Sequence, residues 1–236
     1  MPSGTWRTVS SDPPELGRRD GLAYALFRPE EEGAAGGVVI LHGAGSAKES
    51  HFDFARKLKA VGIAAVCFDA RGHGDSKGDL GAGALEDVAT MASLLPEGPV
   101  GLRGSSMGGW LALAAAARVR AAGVVAICPA TSRQLMQGLT EGRFEFGVDV
   151  EAFAHVLAGV DLEVAARELG ERLLLLHAEG DETVPVEHSR HLHEIAIGSR
   201  YVEAPGGHHR SIQHDDEYQA FSLRFLQRAL GVSPSA

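Results

Sequence analysis

The chain has 236 residues, 44% of them hydrophobic and 22% charged, with a formal net charge of −9. Its length suits one large domain spanning residues 1–236, and its apolar content suits a buried core rather than a disordered chain. The negative balance repels phosphate backbones, so no nucleic-acid partner is expected, and no apolar run approaches the roughly 18–20 residues that span a bilayer.

In chain order, Trp6 to Val9 and Leu22 to Arg28 read as an antiparallel edge hairpin. Short apolar runs then recur at Gly37 to Leu41, Ala64 to Phe68, Pro99 to Leu102, Val124 to Ile127 and Leu173 to Leu176, with a weaker one at Arg200 to Glu203. Continuous rather than alternating apolar runs suit strands covered on both faces. Helical periodicity fills the intervals at about 48–60, 82–95, 107–121, 186–197 and 214–230. This alternation predicts an α/β fold, a mostly parallel, doubly wound sheet with helices on both faces. The stretch 131–170 is longer than one connection needs and is read as a crossover helix plus a small lid over the sheet's edge.

Two Gly-x-Ser-x-Gly matches occur, Gly104-Ser105-Ser106-Met107-Gly108 and Gly74-Asp75-Ser76-Lys77-Gly78. With 30 glycines in the chain the pattern arises readily by chance, so its context must decide. A nucleophile elbow runs strand, sharp turn, helix, which lifts the serine above the sheet. Ser106 has an apolar strand before it and the strong helix former Trp110 to Ala117 after it. Gly104 and Gly108 provide the small side chains such a turn requires. Ser76 is followed only by Lys77-Gly78-Asp79-Leu80-Gly81, and is read as loop.

Leu41-His42-Gly43-Ala44-Gly45, Asp69-Ala70-Arg71-Gly72-His73-Gly74-Asp75-Ser76, the Ser106 elbow, Gly180-Asp181-Glu182-Thr183-Val184-Pro185 and Gly206-Gly207-His208-His209 follow one another in the order of the α/β-hydrolase superfamily, which the chain resembles over about residues 20–230. Among its branches the chain is most similar to small-lid serine esterases, of the cinnamoyl and feruloyl esterase-like and monoacylglycerol lipase-like kinds. The resemblance implies the α/β-hydrolase fold and a Ser–acid–His order along the chain. The base is then His209, fourth in the Gly206 loop, with His208 as the alternative. The acid is Asp181, with Glu179 and Glu182 as neighbours on the same loop. The oxyanion donors implied are the backbone amides of Met107, after the nucleophile, and Ala44, after His-Gly.

The Asp69 to Ser76 loop is expected to brace the site, with Arg71 and Asp75 locking it. Phe144, Phe146 and Phe153 are candidates for lining a substrate pocket, or for anchoring the lid. Arg133 and Arg143 could meet a substrate carboxylate or simply be solvated. His42, His73 and His177 are read as loop braces. His188, His191 and His193 share one helix and are read as a solvated face, so no functional metal and no cofactor is expected. Cys67 and Cys128 fall on strands three positions apart in this fold, about 14 Å, beyond the roughly 7 Å a disulfide bridges.

Taken together, the sequence predicts a cytoplasmic carboxylesterase acting on small-molecule esters through an acyl-enzyme, without membrane association. Thioester, small-peptide and C–C bond hydrolysis would use the same three side chains, and a non-catalytic small-molecule-binding homologue is the alternative of another class.

Overall fold

The computed structural model describes residues 13–29 and 36–232. Its sheet has eight strands: β1 Glu15–Arg19, β2 Leu22–Phe27, β3 Gly37–Leu41, β4 Ala64–Phe68, β5 Val100–Ser105, β6 Gly123–Ile127, β7 Leu173–Ala178 and β8 Arg200–Ala204. They lie in the order β1-β2-β4-β3-β5-β6-β7-β8. β2 runs antiparallel to both β1 and β4; the rest pair in parallel.

The helices are α1 Phe52–Ala60, α2 Ala84–Ala92, α3 Met107–Ala115, α4 Ser132–Thr140, α5 Val150–Ala158, α6 Leu162–Leu169, α7 Val186–Ile195 and α8 Asp216–Ala229. Strand geometry sends successive side chains to opposite faces, so each apolar run feeds two cores. Val39, Leu41, Val66, Phe68, Val124 and Leu175 pack with residues of α2, α3 and the helices after β6. Val38, Ile40, Cys67, Val125, Ile127 and Leu176 pack with α1 and α8. Coverage of both faces is why these strands lack alternation.

The sheet edge differs from the sequence expectation. Trp6 to Val9 lies outside the described residues, and the strand paired with β2 is Glu15–Arg19. Its residues are mostly exposed, so it carries no apolar signature. The turn between them, Asp20 and Gly21 with φ of 50° and 85°, is the Asp-Gly pair that two-residue hairpins favour.

The 131–170 stretch, read from the sequence as a crossover helix plus a small lid, holds the three helices α4, α5 and α6. Each starts at a side-chain cap: Thr131 and Gln134 form a capping box for α4, and Asp149 and Asp161 accept the first amides of α5 and α6. Such caps satisfy amides that have no partner within the helix. Cys67 in β4 and Cys128 after β6 are both free and buried, with β3 and β5 between their strands. Among the described residues no helix is long and apolar enough to cross a membrane.

Candidate active site

Ser106 sits where β5 ends and α3 begins, with φ 55° and ψ −117°. A non-glycine residue held there stores strain of roughly 1–3 kcal/mol, which the surroundings must overcome. Its amide donates to the Ile127 carbonyl at 2.9 Å, and its own carbonyl accepts from the amides of Trp110 at 3.0 Å and Ala130 at 3.1 Å. These bonds fasten the turn to the end of β6.

Glycines make the turn possible by close approach. A Cβ on Gly104 would lie 2.0 Å from the Gly108 carbonyl oxygen, and one on Gly108 would lie 2.2 Å from that of Leu41 and 2.6 Å from that of His42. Neither backbone can retreat without moving the elbow or β3. Gly108→Ala is therefore expected to lower stability by about 3 kcal/mol in denaturant unfolding.

The loop after β3 passes over the elbow, with the Cβ position of Gly43 at 3.4 Å from Ser106 Cβ. Two buried imidazoles shape it. His42 Nδ1 donates to the Gly43 carbonyl at 2.7 Å while its Nε2 accepts the Ala70 amide at 3.0 Å. His73 Nε2 accepts the Gly45 amide at 3.1 Å. Burial pushes His42 down to about 4 and also lowers His73, so both stay neutral and keep an acceptor nitrogen. The Gly45 amide is thus occupied, and that of Ser46 donates to the Gly43 carbonyl, whereas the Ala44 amide has no acceptor among the described residues. Met107 begins α3, so its amide has no acceptor within the helix. These are the two amides named from the sequence.

Asp181 follows β7, and its side chain is fully buried. One oxygen accepts the amides of Thr183 at 2.8 Å and Val184 at 2.9 Å. The other accepts His209 Nδ1–H at 2.7 Å and lies 3.3 Å from His177 Nε2. Burial alone would raise this carboxyl, but the hydrogen bonds from His177, His209 and Val184 outweigh it and hold it well below the usual carboxylate range. His177 braces the same loop, bonding the Val184 carbonyl at 3.0 Å and Ser189 Oγ at 2.7 Å.

Of the two candidate bases, His209 is the one on Asp181. His208 is exposed and serves its own turn, its Nδ1 accepting the Arg210 amide and its backbone meeting Ser211 Oγ. Glu179 accepts the Gly206 amide, and Glu182 is exposed at the cavity. Ser76 is a structural hydroxyl: it donates to the Asp69 carbonyl at 2.6 Å and accepts the Ala23 amide at 2.8 Å. Its loop is locked by Arg71 on Asp87 and by Lys48, buried between Asp69 and Asp75.

Ser106, Ala44 and His209 line one cavity of about 820 Å³. Leu135 and Gly138 of α4 form part of its wall, and Gln134 ties that helix to the acid loop through the Thr183 carbonyl at 2.8 Å. The three phenylalanines part company here. Phe144 lines the cavity, whereas Phe146 stacks between Phe144 and His73 without lining it. Phe153 is buried edge-on to Trp110, anchoring α5 to α3. Arg143 lines the cavity and Arg133 lines a separate one near His188 and His191.

Cys128 Sγ, an Asp181 oxygen and a His209 nitrogen lie within 4.8 Å of one another, the only such ligand-type group among the described residues. Burial pushes the Cys128 thiol up, so it stays protonated. The carboxylate and imidazole are already bonded to each other, which leaves a cation little to bind.

A family model described as "Serine aminopeptidase, S33" matches residues 33–160, more than half of the chain. No curated protein is similar enough in sequence to match. Among solved structures, the chain is similar to Est1E from Butyrivibrio proteoclasticus, at 18% identity and TM-score 0.67 over 93% of this chain and 99% of that one. It is also similar to the monoacylglycerol lipase of Paleococcus ferrophilus, at 23% identity and TM-score 0.67 over 90% and 99%. The third is mouse alpha/beta hydrolase domain-containing protein 10, at 20% identity and TM-score 0.66 over 92% and 98%. At these identities the likeness is one of fold, the α/β-hydrolase fold.

Proposed function

The chain belongs to the serine aminopeptidase S33 family of α/β-hydrolases, and from that premise we propose that it is a serine hydrolase cleaving small carboxylic esters through an acyl-enzyme. The observation that carries this reading is the backbone of Ser106, strained at φ 55° above a helix N-terminus in a cavity also lined by His209, whose Nδ1 is bonded to the buried Asp181. A module that only binds gains nothing from that strain.

In the proposed reaction, Ser106 Oγ attacks the ester carbonyl carbon as His209 Nε2 takes its proton. Asp181 holds His209 Nδ1–H, which fixes the tautomer and stabilises the imidazolium. The Ala44 and Met107 amides donate to the carbonyl oxygen as it becomes an oxyanion, in a site where one such donor is worth on the order of 10²–10³ in rate. His209 then protonates the departing alkoxide. Water, deprotonated by the same nitrogen, attacks the acyl-serine and releases the acid and the free hydroxyl.

The cavity wall argues against a long acyl chain. Apart from Leu135, Phe144 and Val184, its larger side chains are Gln134, Gln137, Gln213 and charged or imidazole groups, so it does not form an apolar tunnel for a long acyl chain. An aminopeptidase substrate would bring a free α-ammonium and need carboxylates to receive it. Among the described residues the only acidic side chain on the wall is Glu182, which shares it with Arg143 and Arg210, and this favours ester over aminopeptidase chemistry. Two unbridged cysteines fit the cytoplasmic setting that completes this reading.

Parallel assays with p-nitrophenyl acetate, p-nitrophenyl butyrate and leucine p-nitroanilide test the proposal. Ester turnover well above anilide turnover is expected. Faster anilide cleavage would identify an aminopeptidase, and no turnover of any of them would favour the binding-module reading.

A further inference from the structure

The nucleophile and base belong to segments remote in sequence, so something must hold the 205–215 loop against the end of β5. Gln213, four residues after His209, makes that connection. Its carbonyl accepts Arg103 Nη2 at 2.9 Å and Gln219 Nε2 at 3.0 Å. Its side-chain Oε1 accepts Ser105 Oγ at 2.6 Å, and its Nε2 meets His214 Nε2 at 2.9 Å. Asp53, at the start of α1, accepts from His214 Nδ1 at 3.0 Å and from Gln219 Nε2 at 2.7 Å. Gln213 Nε2–H thus donates to His214 Nε2, and His214 Nδ1–H donates to Asp53. The residues reaching Gln213 from β5 are the immediate neighbour of Ser106 and the residue three before it.

Arg103 is an expensive way to make one hydrogen bond. It is 1% exposed and lies 4.0 Å over the Phe54 ring, with the Gln213 carbonyl as its acceptor. Its Nε and Nη1 have no partner, and neither do His51 Nδ1 and Gln219 Oε1 beside it; these are four of the five such buried atoms among the described residues. Burial lowers the guanidinium to about 10, which leaves it a cation at neutral pH. A buried cation with open N–H groups destabilises a fold relative to an apolar side chain of similar volume. Stability therefore does not account for Arg103.

We propose that Arg103 and Gln213 are positioning residues, which clamp the base loop to the nucleophile strand and so set His209 against Ser106. This rests on the serine-hydrolase reading. A misplacement of about 1 Å between reacting groups can cost on the order of 100-fold in rate.

The test compares wild type with Arg103→Met, Gln213→Ala and Gln213→Glu on p-nitrophenyl butyrate, with thermal midpoints measured in parallel. Arg103 does not line the cavity, so its loss removes no substrate contact. Arg103→Met is expected to keep or raise the midpoint while kcat falls about 10- to 100-fold, with KM within about twofold and the acid limb of the pH profile unmoved. Gln213→Ala is expected to lose kcat in the same way. Gln213→Glu keeps an acceptor for Ser105 but sets an oxygen against His214 Nε2, so it should recover part of the loss and fall between Gln213→Ala and wild type. Unchanged kcat in both Arg103→Met and Gln213→Ala would overturn the proposal, as would an effect confined to KM. Absence of wild-type turnover and of Ser106 labelling would instead remove the reading beneath it.

Discussion

Ser106→Ala is expected to lower ester turnover by on the order of 10⁴–10⁶ while leaving the thermal midpoint of the protein unchanged. In the proposed mechanism the loss is that large because nucleophile and base act as a unit, and only the oxyanion donors and substrate binding would remain once one is gone. The midpoint holds because alanine keeps the Cβ and therefore the same strained turn. Ser106→Gly separates the two effects. Glycine occupies φ 55°, ψ −117° without the Cβ penalty, so this variant should be as inactive as Ser106→Ala yet more stable by about 1 kcal/mol, after its greater unfolded-state entropy is set against the strain relieved. Denaturant unfolding of the two variants, alongside p-nitrophenyl butyrate turnover, checks both halves.

Asp181→Asn is expected to reduce kcat by about 10⁴ with the fold retained. The amides of Thr183 and Val184 point at one side-chain oxygen, so an asparagine would keep its carbonyl there and turn its NH₂ toward His209. Nδ1 would then have to accept, which moves the imidazole proton to Nε2, where it can no longer take the proton of Ser106. The same substitution changes acid stability. The folded Asp181 carboxyl is depressed, so its contribution is fully present above the unfolded value of about 4 and fades as pH falls toward the folded one. Wild type should therefore lose thermal stability between pH 5 and pH 2.5 more steeply than Asp181→Asn does. Parallel slopes would mean that the carboxylate is not stabilised as its hydrogen bonds indicate.

What could be read from the sequence was what local pattern encodes. The buried parallel strands announce themselves as apolar runs because both faces are covered, and the Ser106 elbow because glycines are needed on both sides of it. Asp181 and His209 stand out by their loops, but that His209 rather than His208 is the histidine bonded to Asp181 could be read only from the structure. The edge strand β1 carried no apolar signal, and only its Asp20-Gly21 turn marked it. The caps at Asp149 and Asp161 were present in the 131–170 stretch, but they are single residues, weaker as signals than periodicity.

Long-range contacts were the least legible. Phe144, Phe146 and Phe153 lie within ten positions of one another, yet one faces the cavity, one packs behind it and one enters the core. That division depends on how α4 and α5 seat on α3, which no local pattern states. The Arg103–Gln213 link spans 110 positions. Its one local trace is an arginine inside a strand that the fold buries on both faces, an anomaly of the kind that marks functional sites.

The most direct measurement is labelling of the folded protein with a fluorophosphonate, followed by mass mapping of the modified residue. The account predicts a single adduct on Ser106, absent in Ser106→Ala. Modification of another serine, or no adduct on folded wild type, would contradict it.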